Sequence, residues 1–423
     1  MKKILYVVLD GLGDRPNPKL GGKTPLEAAD TPFMDELAQK GETGLMDTIG
    51  EGIAPESDAA VMSILGYDVD EYYTGRGPLE SFGAGMTVPN GCLAWRCNFG
   101  TVDSDWRIID RRVGRDLSDP EAQELAEAVN REVRLDRATF DFRHTIGHRA
   151  CLVIQSLEHQ LSGDIDNCDP AYQRHGVFSV ALENPGTHVA EARPLKDGIS
   201  ARVGAEITNQ FLKRSFEVLE NHPVNQRRRA EGKMPGNFIL ARDAGDRLPT
   251  LPSFRQRYGV RFGSLVEMPV EIGIAQLTGM GEVHVMSTAQ DPERGFSDWS
   301  AKTMNALDEY DGLYVHLKGP DLFGHDGDPE GKKANIEAID RLYFGPLVKG
   351  LRLPDFVVAV TADHSTPCDI KAHSADPVPL LISSGGLEPE GALQFGESEA
   401  ARGRLGKLRG PELVPRLVEI AKS

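Results

Sequence analysis

Aspartate and histidine residues follow three apolar runs of the sequence. Runs 3–10, 312–318 and 355–362 are short and rich in valine, isoleucine and leucine, a pattern that predicts buried strands. The ends of parallel strands meet at one edge of an open sheet, so side chains that follow the strands should converge there. The residues of this kind that could bind a cation are Asp10, Asp321, His325, Asp363, His364 and His373.

The ligand types indicate the chemistry. Mixed carboxylate and imidazole groups suit zinc, manganese or iron, whereas magnesium and calcium favour oxygen ligands alone. Asp321 and His325 are four residues apart, so one helical turn would place them on the same face. Singly, each residue is more commonly a cap or a satisfied polar group. Six together exceed the needs of one ion, and two ions could clamp the attacking and leaving oxygens of a phosphoryl transfer.

Ser57 precedes an apolar, helix-like run in the segment IAPESDAAVMSILGYD. Serine in this position is ordinarily an N-cap, and the local sequence favours that role. The same position suits a nucleophile, because a helix N-terminus favours negative charge and a bound cation lowers the pKa of a hydroxyl group. The nearby ligand pattern favours the nucleophile. The segment LGGKT does not form a phosphate-binding P-loop, because Asn17 stands where the pattern requires glycine.

Charge and composition restrict the partners. The 423-residue chain has 64 acidic and 47 basic side chains, and its net charge of −17 argues against nucleic acid and membrane partners. Hydrophobic residues make up 40%, as expected for a soluble globular protein. Five scattered cysteines without a CxxC pair, and no apparent signal peptide or membrane span, predict a cytoplasmic protein. The sequence leaves open whether the chain forms a homo-oligomer.

Alternating strand-like and helix-like segments predict an α/β fold with a central, mostly parallel sheet flanked by helices. A further buried parallel strand is expected at 378–383, and helices are expected at 31–40, 58–65 and 329–343. The chain is long for one domain.

Two breaker-rich segments, 83–91 and 243–252, flank a region with fewer apolar strands and many arginines. We interpret 88–246 as an inserted, smaller α+β domain that binds substrate, and 1–87 with 247–423 as the metal-binding core. A single large domain with long loops is the alternative.

Several motifs taken in order resemble the archaeal-type 2,3-bisphosphoglycerate-independent phosphoglycerate mutases of the alkaline phosphatase superfamily. The matching stretches include VLDGLGDRP, LGGKTPLEAADTP, SDAAVMSILGYD, YYTGRGPLE, WRCNF, DRRVGR, SGDIDNCDP, GHDGDPEGK, TADHSTPC and HSADPVPLLI. They extend over nearly the whole chain. The resemblance implies an alkaline-phosphatase-like core with an inserted domain and two divalent ions. Manganese is the expected metal, with magnesium, cobalt or zinc as alternatives, and 2,3-bisphosphoglycerate is not required.

The resemblance also implies residue roles. One ion would be held by Asp10, Ser57, Asp363 and His364, and the other by Asp321, His325 and His373. Ser57 would carry the phosphoryl group while 3-phosphoglycerate and 2-phosphoglycerate interconvert. Planar guanidinium groups suit the carboxylate of the released glycerate. The candidates for substrate binding are Arg96, Asn98, Arg111, Arg112, Arg115, His148, Arg149, Arg242 and, on the core, Lys318.

Each of these arginines could instead be a solvated charge or a surface ion pair. Residues 227–229 are three successive arginines, which we interpret as an exposed helix face and exclude from the site. One position departs from the family pattern, because Glu56 precedes Ser57 where glycine is usual. A related phosphotransferase, homoserine-kinase-like or a phosphatase, is therefore the main alternative. A catalytically inactive binding protein would be expected to lack a ligand or the nucleophile, and none is missing.

Overall fold

The computed structural model describes residues 1–182, 184–288 and 291–423. The chain divides into two compact units. The first comprises Met1–Tyr72, Leu251–Glu267 and Ile274–Ser423, and the second comprises Tyr73–Thr250 and Met268–Gly273. The predicted insertion, 88–246, lies inside the second unit.

The strands are β1 Lys3–Leu9, β2 Gly41–Asp47, β3 Leu93–Val102, β4 Ile108–Asp110, β5 Ala138–His144, β6 Arg149–Ser156, β7 Tyr172–His175, β8 Phe178–Ala181, β9 Phe238–Gly245, β10 Phe262–Leu265, β11 Gly281–Glu282, β12 Gly312–Leu317, β13 Phe356–Thr361, β14 Val378–Ser384 and β15 Gly406–Arg409.

The α-helices are α1 Pro25–Ala28, α2 Pro32–Gln39, α3 Ser57–Ile64, α4 Val69–Tyr72, α5 Arg76–Gly83, α6 Asp119–Glu132, α7 Ile199–Glu220, α8 Pro223–Ala230, α9 Phe254–Tyr258, α10 Pro269–Leu277, α11 Pro292–Ala306, α12 Pro320–Asp326, α13 Pro329–Ile339, α14 Gly345–Gly350, α15 Glu397–Ala400 and α16 Gly410–Lys422. A π-helical turn, Asp340–Phe344, joins α13 to α14. Short 3-10 turns lie at Pro18–Leu20, Val113–Arg115 and Leu353–Asp355.

The sheet of the first unit has the strand order β11-β10-β12-β1-β13-β14-β2-β15. Its central strand, β1, is parallel to both neighbours, β12 and β13. Residues 4–9 of β1 are buried, because α16 packs against β1 and β13 while α11 packs against β10 and β12. A strand covered in this way has an unbroken apolar sequence, which is the pattern that predicted it. The expected α/β class with a mostly parallel sheet is confirmed.

The predicted direction of β14 is wrong. This strand pairs antiparallel with both β13 and β2. The connection from β13, residues 362–377, contains turns and isolated bridges but no helix, so it forms no crossover of the kind that parallel neighbours need. All seven residues of β14 are buried. A buried apolar run has the same sequence pattern in either direction, and composition could not reveal the reversal.

The second unit is built around β3, which pairs antiparallel with β6 and β9. Strand β5 extends this sheet beyond β6, and β4 pairs with the end of β3. All ten residues of β3 are buried. The long helix α7 packs against β9, and one series of its buried residues is Ala201, Ala205, Thr208, Leu212, Ser215 and Leu219. These positions recur every three or four residues, so one face of α7 contributes to the core.

The five cysteines, Cys92, Cys97, Cys151, Cys168 and Cys368, are all buried and carry free thiols. Burial raises the pKa of every one of these thiols. Among the described residues, no helix has both the length and the apolar character that crossing a bilayer requires.

Candidate active site

The loops that follow β12, β1 and β13 meet at one edge of the first unit's sheet. Asp10 directly follows β1, and its backbone N–H donates to the carbonyl of Leu317 at the end of β12 (2.9 Å). Asp321, in the first turn of α12, donates its backbone N–H to the carbonyl of Asp10 (3.0 Å). Asp363 and His364 follow β13. The parallel register thus brings side chains more than 300 positions apart in sequence into one cluster.

Gly11 allows these loops to approach closely. Its φ of +62° lies in the left-handed region, and an added Cβ would lie 2.7 Å from Asp321 Cβ and 2.7 Å from Thr366 Oγ1. The backbone N–H of Gly11 donates to Asp363 Oδ1 at 3.0 Å. The glycine of VLDG therefore brings two candidate ligand loops together.

One ligand group consists of Asp10, Asp363 and His364, all buried, with potential ligand atoms within 4.8 Å of one another. His364 Nε2 lies 3.6 Å from Asp10 Oδ1 and 3.2 Å from Asp363 Oδ2. Ser57 Oγ lies 3.3 Å from the same Nε2 atom. The hydroxyl proposed as nucleophile is therefore next to this group.

The second group is Asp321, His325 and His373, whose potential ligand atoms also lie within 4.8 Å of one another. The Nε2 atoms of both histidines lie 3.5 Å from Asp321 Oδ1. The His373 ring stacks on that of His364, with centroids 3.6 Å apart, so the two groups are adjacent. The sequence-predicted ligands are thus brought together in two groups, although their role as ligands remains a prediction.

Backbone carbonyls fix the orientation of the His325 and His373 rings through their Nδ1 atoms. His325 Nδ1 donates to the carbonyl of Lys371 (3.0 Å), and His373 Nδ1 donates to that of Pro55 (2.8 Å). A carbonyl can only accept, so both Nδ1 atoms carry hydrogen and both Nε2 atoms are left to face Asp321. Metal-binding imidazoles are commonly oriented by contacts of this kind.

The buried carboxylates are short of donors. Asp10 Oδ1 and Asp363 Oδ2 are buried, and neither has a hydrogen-bond partner among the described residues. Burial raises the pKa of Asp10, and burial together with the charge of Asp10 raises that of Asp363 well above its usual range. Orphaned buried oxygens facing imidazole nitrogens are unusual in a folded protein. The donor set therefore fits divalent cations.

The second group also attracts positive charge. Burial opposes protonation of His373, but the hydrogen bond to Asp321 and the nearby charge of Glu56 outweigh it and raise the pKa of His373 to about 10. Burial would likewise raise the pKa of Asp321, but the three surrounding imidazoles bring it well below its usual range. Glu56 therefore acts on the ligand group, which its position before Ser57 did not indicate.

Ser57 is not the N-cap of α3. The N-cap is Glu56, whose side chain makes no capping hydrogen bond, and Ser57 is the first residue of the helix. The cap interpretation that the local sequence favoured is wrong. Ser57 is partly accessible, and the first turn of a helix is a favourable place for negative charge.

Two basic side chains of the first unit approach the same carboxylates. Lys318 Nζ lies 3.2 Å from Asp10 Oδ2, so this predicted substrate residue belongs with the first ligand group. His316 Nε2 lies 3.6 Å from Asp363 Oδ2, and the sequence analysis missed this residue. His316 is fully buried within β12. A histidine inside an otherwise apolar strand was its only signal.

The second unit brings four arginines together: Arg96 and Arg242 are buried, and Arg76 and Arg149 are partly buried. In the register of β3, Arg96 is opposite Arg242 of β9, and Arg149 of β6 is two positions further along, opposite Asn98. Burial and the charges of Arg242 and Arg76 lower the pKa of Arg96 to about 10. Positive charge is therefore crowded at this point of the sheet.

Glu80 provides negative charge within this arginine group. It lies on α5, 3.0 Å from Arg76 and 3.3 Å from Arg96. Burial would raise the pKa of Glu80, but Arg96 and Arg76 outweigh it and lower that pKa. Asp243 supplies a second carboxylate, 2.9 Å from Arg242. Four guanidinium groups against two carboxylates leave the group with net positive charge. Arg76, absent from the predicted set, lies in the motif YYTGRGPLE.

His148 lies near the same group. Burial and the charges of Arg149, Arg112, Arg96 and Arg115 lower the pKa of His148 to about 3, so its imidazole is neutral at physiological pH. Asn98 Oδ1 is buried, with no hydrogen-bond partner within the described part of the chain. A group with excess positive charge and an unsatisfied amide suits an anionic, hydroxylated ligand.

Two arginines have buried or distant carboxylate partners that the sequence did not indicate. Arg111 forms a two-point ion pair with the fully buried Asp169, so its guanidinium is engaged within the protein. Arg228 was predicted to be exposed, and this is wrong. Its side chain is only 1% exposed and pairs with Asp116 and Glu121. These partners are more than 100 positions away, so local sequence could not reveal the burial.

Comparisons with known proteins find relatives that align over nearly the whole chain. A family model described as 2,3-bisphosphoglycerate-independent phosphoglycerate mutase matches residues 38–225. A protein of that name from Aeropyrum pernix is 44% identical and aligns over 99% of both chains. Its counterpart from Methanopyrus kandleri is 40% identical and covers 99% of this chain and 96% of that protein.

Two solved structures are similar to the whole chain. A Pyrococcus horikoshii protein superposes with a TM-score of 0.81 at 32% identity, covering 100% of this chain and 97% of that one. The cofactor-independent phosphoglycerate mutase of Thermoplasma acidophilum has a TM-score of 0.64 and is 31% identical, with both chains fully covered.

Proposed function

The chain belongs to the family of 2,3-bisphosphoglycerate-independent phosphoglycerate mutases, and from this premise we propose that it interconverts 3-phosphoglycerate and 2-phosphoglycerate through a phosphorylated Ser57. The observation that carries the proposal is the position of Ser57. Ser57 is the first residue of α3, and its hydroxyl oxygen lies 3.3 Å from His364 Nε2. The hydroxyl is therefore next to the candidate ligand group of Asp10, Asp363 and His364.

Two groups of ligands support two divalent cations. Asp10, Ser57, Asp363 and His364 would hold one cation, while Asp321, His325 and His373 would hold the other. When bound, such cations would stabilise charge on the phosphoryl oxygens and favour the ionised serine. Manganese suits these mixed oxygen and nitrogen ligands, and magnesium, cobalt and zinc are the alternatives to test.

The reaction has two matched halves. Ser57 Oγ forms a bond to phosphorus as the bond between phosphorus and the glycerate oxygen breaks. The serine loses its proton and the departing oxygen gains one. The other glycerate hydroxyl then attacks the phosphoserine, and Ser57 regains its proton. The phosphoryl group remains on the enzyme between the two steps, so no 2,3-bisphosphoglycerate is needed.

The arginine group of the second unit would bind the glycerate carboxylate. Arg96, Arg149 and Arg242 supply the excess positive charge, and Arg112, Arg115 and His148 lie near it. Charge-assisted hydrogen bonds to a carboxylate are among the strongest that proteins make. We exclude Arg111, since Asp169 already engages it.

The test is purified protein with 3-phosphoglycerate and each of the four metals, coupled to enolase. We expect turnover in wild type and none above background for Ser57→Ala. The variant should still bind cations, because six of the seven candidate ligands remain. Absence of activity with every metal, or activity that survives Ser57→Ala, would refute the proposal.

Two parallel reactions test the related phosphotransferases. Homoserine with ATP tests the kinase, and release of inorganic phosphate from 3-phosphoglycerate tests the phosphatase. A rate for either reaction above the mutase rate would identify that activity as the main one.

A further inference from the structure

The Thr366 hydroxyl contacts one residue from each ligand group. Thr366 is fully buried in the loop after β13. Its Oγ1 atom lies 3.0 Å from His364 Nδ1 and 2.7 Å from Asp321 Oδ1. His364 belongs to the first group and Asp321 to the second. A single hydroxyl therefore links the two groups.

The direction of these hydrogen bonds follows from the available protons. A hydroxyl has one proton to donate, and an ionised carboxylate can only accept. Asp321 would bind a cation only as a carboxylate, so in the proposed site its oxygens are acceptors. Thr366 must therefore donate to Asp321, because otherwise two oxygen lone pairs would face each other at 2.7 Å. Its lone pairs then accept from His364, so Nδ1 of that ring carries the proton.

We infer that Thr366 is a positioning residue for both proposed cation sites. Because Thr366 accepts a hydrogen bond from His364 Nδ1, the lone pair of that ring is on Nε2, which faces Asp10, Asp363 and Ser57. By donating to Asp321, it fixes one oxygen of that carboxylate between His325 and His373. Contacts that orient ligands in this way commonly change metal affinity by about 10- to 100-fold.

The backbone of Thr366 is held from several directions. Its N–H donates to the carbonyl of Gly13 (2.9 Å), and its own carbonyl accepts from the buried Lys332 Nζ (3.0 Å). Lys332 also pairs with Asp14 Oδ2 at 2.9 Å. A Cβ at Gly11 or Gly324 would collide with Thr366. The hydroxyl thus has a fixed place, and loss of its hydrogen bonds cannot be relieved by a shift of the loop.

The matched variants are Thr366→Val, which keeps the shape but removes the hydroxyl, and Thr366→Ser, which keeps the hydroxyl. Metal-free protein would be dialysed against buffered free Mn²⁺ and the bound metal counted, with Co²⁺ absorption as a spectroscopic measure of ligand geometry. We expect Thr366→Val to bind both equivalents about 10- to 100-fold more weakly and to alter the Co²⁺ bands. Thr366→Ser should remain within about threefold of wild type. Affinity and bands unchanged in Thr366→Val would overturn the inference.

A measurement on wild type avoids any dependence on how the variants fold. In metal-free, histidine-labelled protein, ¹⁵N chemical shifts report which ring nitrogen carries the proton. We expect the proton of His364 on Nδ1, with assignment from His364→Asn. A His364 ring protonated only on Nε2 would overturn the inference.

This inference rests on the proposed function, since it presumes two cation sites, but the two fail differently. If the wild-type protein binds no second equivalent of Mn²⁺, the proposal of two cation sites is refuted. Wild type that binds two equivalents, with Thr366→Val equal to it, would refute only the role of Thr366.

Discussion

The two units place their charged groups on different parts of the chain. In the first unit, carboxylates and imidazoles lie on loops at the ends of three adjacent parallel strands. In the second, arginines lie within the strands of an antiparallel sheet and on α5. The carboxylates and imidazoles of the first unit suit a cation, and the arginines of the second unit suit an anion. The difference suggests separate experiments for each group.

The first prediction removes the cations. Chelation should lower mutase activity by about three orders of magnitude or more, because a cation contributes several kcal/mol to stabilising charge in the transition state. Readdition of Mn²⁺ should restore the rate in the enolase-coupled assay. Circular dichroism should show that the chain stays folded throughout. Full activity after exhaustive chelation would contradict the dependence on metal.

The second prediction compares two arginines of the second unit. Arg96→Met should lower kcat/KM by about 100-fold, since charge-assisted hydrogen bonds contribute roughly 1.5–3 kcal/mol each. Arg111→Met is the matched control, and it should mainly lower the melting temperature, because it leaves the buried Asp169 without its partner. Steady-state kinetics and thermal melts on both variants separate the two effects.

Glycerate, which carries the carboxylate assigned to this arginine group, offers a second measurement for the same pair. It should raise the melting temperature of wild type and of Arg111→Met more than that of Arg96→Met. Equal losses of kcat/KM in the two variants would remove the distinction drawn between them.

The third prediction concerns pH, and its effect is the smallest. Burial raises the pKa of Glu397 in the first unit to about 7 from 4.5, whereas the pKa of Glu80 is lowered. A raised carboxyl pKa gives stability that is present below about pH 4.5 and is lost as the pH rises to about 7. A lowered one gives stability that is present above about pH 4.5 and is lost as the pH falls through the folded pKa.

Thermal melts at several pH values test this contrast. The free energy of unfolding of wild type relative to Glu397→Gln should rise from pH 7 to pH 5, by on the order of 1 kcal/mol per pH unit, and the melting temperature should rise with it. Relative to Glu80→Gln it should fall below about pH 4.5. Parallel pH profiles for the two variants would contradict the opposite signs.

The strand-end side chains were the most predictable part of the molecule. Asp10, Asp321, Asp363 and His364 follow runs whose apolar composition indicates parallel strands, and parallel register then brings them together. His316 and Thr366 were not predicted, because a single histidine in an apolar strand is a weak signal and threonine is common in loops. Their contacts depend on which strands are neighbours. The direction of β14 likewise depends on its connection, and composition does not record that.

The arginines of the second unit were harder to classify. Arg96, Arg111 and Arg228 are alike in sequence. Arg96 shares the carboxylate of Glu80 with Arg76 inside a group of like charges, whereas Arg111 pairs with Asp169 and Arg228 pairs with Asp116 and Glu121. Antiparallel register and distant partners decide these roles. A count of arginines identifies a basic region, and only the pairing of strands separates binding candidates from structural ones.

The buried cysteines have a practical consequence for labelling. With the pKa of Cys92 and Cys368 raised to about 12, about one thiol in 10⁵ is ionised at pH 7. The thiolate is the species that reacts with maleimides, so the native thiols should label slowly. A cysteine introduced on the surface would then be modified selectively in the native chain. A fluorophore or spin label could be attached to either unit without first removing the natural cysteines.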